Sequence, residues 1–407
     1  MFLLPSAIGA IQQDPLRRIF KQASLDLQFA EKKSLVDATT GQNLVTFTRA
    51  SSGTYVGSDG LIKTATTNEA RFDHGPTTGE SLGLLVEESR TNLLLRSEAL
   101  NAAPWTANSG GSGTTITADY GIAPDGNATA DLVTFNLQNG SREQAVTSIE
   151  GVTYTLSFYA KRISGNYNLQ FLHFNSATGV STNLAVTDSW KRYSVSFLGR
   201  TGGGTIVVGI RDNNASGWGS TLVWGAQLEA GAFPTSYIHT TTATVTRSAD
   251  VASISGSNFS GWFNATEGTV FSGYKGVANI EGSSTRRVVE IGVSGAITNR
   301  MILGYNSTAF SRFFVVASSS TQADQSVSTT QGNQVSNAAA YKIDDFIIAS
   351  NSVLSAGDTS GIVPTVSAMA IGNDFSSGSA LSLNGTIRRL AYWPQRLPNE
   401  TLQTVTQ

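Results

Sequence analysis

The chain has 407 residues, a formal net charge of −2, 14% charged residues and 41 glycines. A charge so near zero provides no basic field for nucleic acid and no long-range attraction to anionic membranes. The absence of cysteine excludes disulfides, thiol nucleophiles and zinc–thiolate sites. No apolar run approaches the roughly 18 residues that span a bilayer, so we expect no membrane insertion.

Residues 1–30 are predicted to form an N-terminal arm with one amphipathic helix. Pro15 suits the first turn of a helix, and Leu16, Ile19 and Phe20 follow at helical spacing on one face. A helix this short is not stable alone in water. We therefore expect these three apolar residues to anchor the arm, either on the chain's own domains or on a partner.

Residues 31–100 are predicted to form β-hairpins that connect the arm to the rest of the chain. Apolar and polar residues alternate here, and turns that contain glycine separate the strands. Asp59 and Gly60 stand between two apolar runs, which is typical of a hairpin with a two-residue turn.

Two longer segments follow, residues 101–250 and residues 251–407, and both carry short strand patterns with turns between them. Strands that recur every roughly ten to twenty residues without intervening helices indicate a sandwich or jelly roll. Only the end of the chain has a helical pattern, with Asn399 as its predicted N-cap. The predicted fold class is all-β: two successive β-sandwich (jelly-roll) domains behind a short N-terminal arm with one helix and β-hairpins.

The adjacent carboxylates Glu87 and Glu88 are a candidate acid/base pair. Glycoside hydrolysis needs two carboxylates that face each other across one bond. Neighbouring residues of a strand point to opposite faces, so these two side chains cannot share a substrate. We therefore predict a structural joint, in which a carboxylate pairs with Arg90 or Arg96 and Asn92 binds backbone groups of the turn.

No other catalytic or metal motif stands out. His74, His173 and His239 lie far apart in the sequence, without partners at metal or triad spacing. The sequence has neither a nucleophile elbow nor a phosphate loop. We expect no enzymatic activity and no cofactor. Calcium, which takes oxygen ligands from loops, stays open as a structural ion and is assigned to no residue.

A polar loop with one tryptophan is the candidate ligand site. Sugars are bound by flat aromatic faces beside amide, carboxylate and guanidinium groups. One loop combines these groups, and its candidate glycan-binding residues are Arg211, Asp212, Asn213, Asn214 and Trp218. The alternative is that Trp218 covers the edge of a core.

Several stretches resemble segments of bacteriophage virion proteins. Residues 47–51 ("FTRAS"), 71–73 ("RFD") and 87–94 ("EESRTNLL") match a segment that precedes carbohydrate-binding-like domains in those proteins. Residues 223–251 resemble the end of their carbohydrate-binding-module-like jelly roll. The last block is similar to concanavalin A-like or laminin-G-like sandwiches. The resemblance extends over roughly residues 24–407.

The resemblance implies a structural protein of a tailed-phage virion, assembled in the host cytoplasm. We expect a tail fibre or receptor-binding protein that attaches to host surface polysaccharide, with the N-terminal arm bound to other virion proteins. A homo-oligomer, and specifically a trimer, is implied by the resemblance alone. The alternative is a head decoration, collar or adaptor protein that contacts only other virion proteins, because the sequence lacks the repeated shaft of a fibre. A polysaccharide depolymerase would need a β-helix repeat or a carboxylate constellation, and neither is found.

Overall fold

The computed structural model of the chain describes residues 15–108, 112–165, 169–174, 179–212, 219–278, 285–308, 310–375 and 381–407. Within these ranges β-strands dominate and the helices are short. The prediction of an all-β fold with two sandwiches is confirmed. Alternating apolar and small polar residues favour such pleated, half-buried surfaces.

The elements fall into three stretches of the chain. The first contains α1 (Pro15–Phe20), β1 (Leu25–Leu27), α2 (Phe29–Lys32), β2 (Thr46–Thr48), β3 (Gly53–Val56), β4 (Ile62–Ala65), β5 (Phe72–His74), β6 (Ser81–Val86) and β7 (Arg90–Asn92). The second contains β8 (Thr106–Ala107), β9 (Thr114–Gly121), β10 (Ala130–Phe135), β11 (Ser141–Ser148), β12 (Thr153–Ser164), β13 (Leu169–Phe174), β14 (Gly179–Leu184), β15 (Lys191–Leu198), β16 (Gly204–Asp212) and β17 (Ser220–Ala230). The third contains β18 (Val245–Arg247), β19 (Val251–Ser255), α3 (Ser257–Ser260), β20 (Glu267–Lys275), β21 (Arg286–Gly292), β22 (Arg300–Tyr305), β23 (Phe310–Ala317), β24 (Ser320–Ser328), β25 (Gln334–Lys342), β26 (Asp345–Ser350), β27 (Val353–Leu354), β28 (Ala368–Ile371), β29 (Gly385–Trp393) and α4 (Asn399–Val405).

Two sheets form what we call the C-terminal sandwich. Among the described residues, one sheet has the order β27-β26-β25-β20-β29-β6-β5, and β1 also pairs with β29. The other has the order β2-β19-β28-β21-β22-β23-β24. Apolar side chains of both sheets, among them Val86, Ile291 and Ile387, form one continuous core. Burial of this apolar surface is the main force that holds the two sheets together.

The structure divides the chain differently from the sequence-based prediction, which treats residues 31–100 as a separate connecting region. Strands of that region complete both sheets of the C-terminal sandwich: β6 pairs with β29, and β2 pairs with β19. The reason lies in β6, where Leu84, Leu85 and Val86 are successive and all buried. A strand can bury successive residues only when both of its faces are covered.

Two further sheets form the jelly roll, with the orders β15-β12-β17-β10-β9 and β14-β13-β16-β11-β8 among the described residues. Their strands all lie within residues 106–230, inside the predicted second segment. The core between them contains Trp105, Phe158 and Phe171, and the rings of Phe158 and Phe171 stack with centroids 5.5 Å apart. Aromatic stacking adds to the hydrophobic burial of these large side chains.

The hairpin of β3 and β4 covers part of the outer face of the jelly roll, where Ile62 packs among aromatic residues. Its loop is longer than the predicted two-residue turn. The Gly57 N–H donates to the Leu61 carbonyl at 2.8 Å. Asp59 accepts the Leu61 N–H at 3.1 Å, and Gly60 has a φ of 78°. The Asp-Gly pair therefore supplies the turn chemistry within a five-residue loop.

The N-terminal helix packs on the C-terminal sandwich. Leu16, Ile19 and Phe20 lie half-buried against an apolar cluster on the outer face of the sheet. The ring of Phe20 is 5.2 Å from that of Phe271, and Trp393 Nε1 donates to the Ile19 carbonyl at 3.0 Å. These three candidate anchor residues therefore contact the chain's own sandwich.

The C-terminal helix α4 covers the same outer face, with Leu402 and Val405 buried in the apolar cluster. Asn399 is the first residue of α4 and not its N-cap, which is Pro398. Pro398 has no side-chain oxygen, so the cap lacks a side-chain hydrogen bond. Docking of the apolar face compensates for the missing cap.

Candidate functional site

The predicted glycan loop begins at the end of β16. Arg211 and Asp212 are the last residues of this strand, whereas Asn213, Asn214 and Trp218 lie outside the described residues. Asp212 is buried and directly opposite the core residue Leu169. Because side chains alternate along a strand, Arg211 points to the outer face of the sheet. The structure therefore separates these two candidates onto opposite faces.

A row of polar side chains crosses the outer face of the jelly roll, and we call it the polar row. Arg211 Nε donates to Gln170 Oε1 at 2.8 Å, and Gln170 Nε2 donates to Asn183 Oδ1 at 2.6 Å. The three residues stand directly opposite one another on β16, β13 and β14. Ser141, opposite Arg211 on β11, extends the row. A register-matched row of this kind fixes the orientation of each group.

The chemistry of the polar row suits recognition of hydroxyl groups. Gln170 is buried, so its amide is held between Arg211 and Asn183, while Asn183 itself is exposed. Guanidinium and amide groups offer both donors and acceptors, and sugar hydroxyls need both. Sequence analysis identified Arg211 but missed Gln170 and Asn183. A polar Gln170 between the apolar Leu169 and Phe171 was the available signal.

Glu87 and Glu88 lie in the loop between β6 and β7, not on a strand as the sequence-based argument assumed, and their side chains belong to separate clusters. Glu87 Oε2 lies 2.8 Å from Arg71 Nη2 and accepts a hydrogen bond from Ser236 Oγ at 2.7 Å. Asp250 joins the cluster, because it accepts hydrogen bonds from both Arg71 and Arg49. We call this group, with Arg247, the buried joint.

Opposite charges in the buried joint hold its groups ionised. Burial alone would raise the pKa of Glu87, but Arg247, Arg71 and the hydrogen bonds from Ser236 lower it to about 2. Burial would lower the pKa of Arg71, but Asp250 and Glu87 raise it. A buried carboxylate that is fully ionised and paired in this way acts as structure. The predicted structural role of this stretch agrees with the geometry.

Glu88 and Asn92 extend the joint to both sandwiches. Glu88 pairs with Arg90, as predicted, and with Arg286 at 3.1 Å in the C-terminal sandwich. Arg96, the other predicted partner, instead lies in a turn with a φ of 54°. Asn92 Nδ2 donates to the carbonyls of Ala226 and Ile238, which tie it to the jelly-roll side.

A small polar cavity of about 190 Å³ lies beside the buried joint. It is lined by Asp73, Tyr159 and Arg192, among other residues. Burial raises the pKa of Asp73 to about 6, against the hydrogen bond that the Val56 N–H donates to it at 2.7 Å. Burial also raises the pKa of Tyr159. Burial therefore favours the protonated form of the Asp73 carboxyl group.

The described part of the chain contains no cluster of three or more His, Asp or Glu side chains placed to hold a metal ion. His74 and His239 lie apart, and the side chain of His173 is outside the described residues. His239 Nε2 lies 3.9 Å from Glu98 Oε1. None of the helices in that part is long and apolar enough to cross a membrane.

Comparison with solved structures finds β-sandwich domains at low similarity. The IT-sialidase CBM40 of Ruminococcus gnavus bound to α2,3-sialyllactose is 15% identical, with a TM-score of 0.31 over 35% of this chain and 84% of that one. A Trypanosoma rangeli sialidase in complex with the inhibitor DANA is 12% identical, with a TM-score of 0.30 over 38% and 25%. The heptameric SAP-like pentraxin of Limulus polyphemus is 12% identical, with a TM-score of 0.28 over 35% and 70%. No protein-family model and no curated protein matches. At these values the similarities decide nothing about ligand or activity.

Proposed function

We propose that this chain is a non-enzymatic structural protein of a tailed-bacteriophage virion that attaches to host surface glycans. The virion assignment rests on the resemblance of residues 47–51, 71–73 and 87–94 to phage proteins. The attachment role rests on one observation, the polar row of Asn183, Gln170 and Arg211 across the outer face of the jelly roll. A sheet surface that orients amide and guanidinium groups in register is suited to a chain of sugar hydroxyls.

Weak binding at each polar row is sufficient when several copies act together. We propose a homo-oligomer, specifically a trimer, that is assembled in the host cytoplasm and carried on the virion. Mass photometry of the purified protein tests this part. A single species at the monomer mass, 42.8 kDa, at every concentration would exclude it.

The polar row is tested by binding to an array of bacterial surface polysaccharides. We expect the wild-type protein to bind a subset of glycans and Arg211→Ala to lose most of this signal. Arg162→Ala is the matched control, because Arg162 pairs with Asp188 on the other sheet of the jelly roll. Wild type that binds no glycan on the array, or Arg211→Ala that binds like wild type, would refute the proposal.

Attachment through the N-terminal arm is a separate part of the proposal. Because α1 packs on the C-terminal sandwich, removal of residues 15–20 would disturb the fold as well as the anchor. Deletion of residues 1–14 leaves α1 in place and is the sharper test. Anchoring by this segment predicts that the shortened protein folds with an unchanged melting temperature but is missing from assembled particles. Normal incorporation would show that the segment is not the anchor.

The alternative is a head decoration, collar or adaptor protein, and one feature favours it. Strand β9 is at the edge of its sheet, and Tyr120 and Ile122 at its end are 57% and 60% exposed. Exposed apolar side chains at a sheet edge are suited to contact with another protein. Labelled antibodies on intact particles distinguish the two roles. A label confined to the tail tip excludes decoration, and a label on the head excludes host attachment by a tail fibre.

A further inference from the structure

A second polar surface lies on the outer face of the C-terminal sandwich, on β21, β22 and β23. Arg300 is on β22, directly opposite Gly292 on one side and Val316 on the other. The next residue, Met301, belongs to the core, so Arg300 points outward. Arg287 and Arg312 lie on the same face, because both stand opposite Gly304.

The two flanking arginines have partners within the sheet. Arg287 Nε donates to Glu290 Oε2 at 3.0 Å. Arg312 makes two hydrogen bonds to Asp324, at 2.7 and 2.6 Å, and its guanidinium lies 4.5 Å from the ring centroid of Phe314. The charges of these two guanidinium groups are therefore already matched.

Arg300 differs from them. Among the residues that the structure describes, its guanidinium makes no hydrogen bond and no ion pair, and its Nε atom is buried. A buried donor that lacks an acceptor costs free energy comparable to a lost hydrogen bond. A guanidinium group that stays unpaired in a folded protein is therefore a candidate for ligand binding.

A buried carboxyl group lies near it on the same face. Glu290 is fully buried, and its Oε1 has no hydrogen-bond partner among the described residues, although Oε2 is bound to Arg287. Burial raises the pKa of Glu290, against the attraction of Arg287 and Arg300. Because Glu290 is bound by Arg287, the Arg300 guanidinium remains without an ion pair among the described residues.

An aromatic ring completes the surface. Gly292 lies directly opposite Arg300, and a Cβ atom at Gly292 would be 3.3 Å from Arg300 Cβ and 3.7 Å from Phe375 Cδ2. The half-buried Phe375 ring therefore lies beside Arg300, above a position that lacks a side chain. Such a ring can pack against the apolar face of a sugar.

We propose that this surface binds a carboxylate-bearing sugar. The carboxylate pairs with the Arg300 guanidinium, and the Phe375 ring packs on the sugar ring. A guanidinium matches a carboxylate with two parallel hydrogen bonds, which a neutral sugar cannot supply. The site is separate from the polar row and has a different ligand class.

The test is isothermal titration of the full chain with acidic oligosaccharides. The probes are an oligogalacturonate, an N-acetylneuraminate-terminated oligosaccharide, and carboxyl-reduced forms of both, which distinguish the two sources of the carboxylate. We expect at least one acidic probe to bind and its reduced form to bind at least tenfold more weakly. Arg300→Ala and Phe375→Ala should each weaken binding by at least fivefold. Arg388→Ala is the matched control and should have no effect, because Arg388 is a half-buried arginine of the other sheet that pairs with the exposed Glu80.

Three outcomes would overturn the proposal: no acidic probe binds, the reduced probes bind equally well, or Arg300→Ala binds like wild type. Arg300→Lys keeps the charge but loses the two parallel hydrogen bonds, so it should fall between wild type and Arg300→Ala. An unchanged melting temperature in the variants shows that the loss is one of binding. Arg211→Ala should leave acidic-probe binding intact, which separates this site from the proposed jelly-roll function.

Discussion

The Nη2 atom of Arg71 lies 2.8 Å from Oε2 of Glu87, and both side chains are buried. Arg71 precedes β5 and Glu87 follows β6, so this contact closes the strand pair that completes the edge of the C-terminal sandwich. Ser236, beyond the jelly-roll strands, donates to the same carboxylate. The Arg71–Glu87 pair, together with the hydrogen bond from Ser236, thus links the N-terminal strands to both sandwiches.

Loss of one partner of this pair should be strongly destabilising. Arg71→Met removes the charge with little change in volume and leaves Glu87 and Asp250 less compensated. We expect the free energy of unfolding to fall by about 3–5 kcal/mol, measured by urea denaturation. Arg388→Ala breaks the exposed pair with Glu80 and should cost no more than about 1 kcal/mol. Equal losses in both variants would contradict the role of the joint.

Acid should weaken the joint through Glu87. Its folded-state pKa, about 2, is below the ordinary value of 4.5. The stabilisation is therefore present above about pH 4.5 and is lost as the pH falls toward 2. Glu87→Gln should be less stable than wild type at pH 7, and its stability should depend less on pH in this window. If the free energy of unfolding depends on pH equally in wild type and Glu87→Gln, protonation of Glu87 does not cause the loss of stability.

Asp73 should act in the opposite direction. Its pKa, raised to about 6, means that the folded state favours the protonated carboxyl. Stability is therefore lost as the pH rises from about 4 to 6. Asp73→Asn keeps an acceptor for the Val56 N–H and should stabilise the protein at pH 7 by roughly 1–3 kcal/mol. If Asp73→Asn gains no more stability over wild type at pH 7 than at pH 4, the pKa of Asp73 is not raised in the folded state.

Gly83 is required where β6 meets β29. Its φ is 98°, and a Cβ atom there would lie 2.0 Å from the Ile387 carbonyl oxygen. Gly83→Ala should cost roughly 3 kcal/mol or more, because both the backbone conformation and the strand contact are disturbed. Gly41→Ala is the matched control, with a φ of 73° and nothing within 4 Å of the added atom. Gly41→Ala should cost only about 1 kcal/mol. Thermal unfolding of the two variants measures both losses of stability.

The all-β fold could be predicted from the sequence, because alternation and turn chemistry are local signals. The pairing of β6 with β29 could not be predicted in the same way. Leu84 and Ile387 are opposite each other although about 300 residues separate them, and no local pattern specifies such a register. The successive apolar residues of β6, Leu84, Leu85 and Val86, were the one hint in the sequence that this strand lies inside a sheet.

The candidate sites also depend on long-range strand pairing, which no local sequence pattern specifies. Arg211 was identified from composition, but its neighbours Gln170 and Asn183 come from other strands and meet it only through the register. Arg300 was not singled out, because an unpaired guanidinium is recognised only when the structure shows that it lacks a hydrogen-bond partner among the described residues. The separation of Glu87 from Glu88 was predicted from strand alternation, but both residues lie in the loop between β6 and β7, so that reason does not apply.

The central claim is that the polar row binds glycan, and titration calorimetry tests it most directly. The ligand is an oligosaccharide from a polysaccharide that the wild-type protein retains on the array. The account predicts that Arg211→Ala and Asn183→Ala each weaken binding by about tenfold, the loss of one or two hydrogen bonds. It also predicts that Arg162→Ala binds like wild type. Equal dissociation constants for wild type and both polar-row variants would contradict the account.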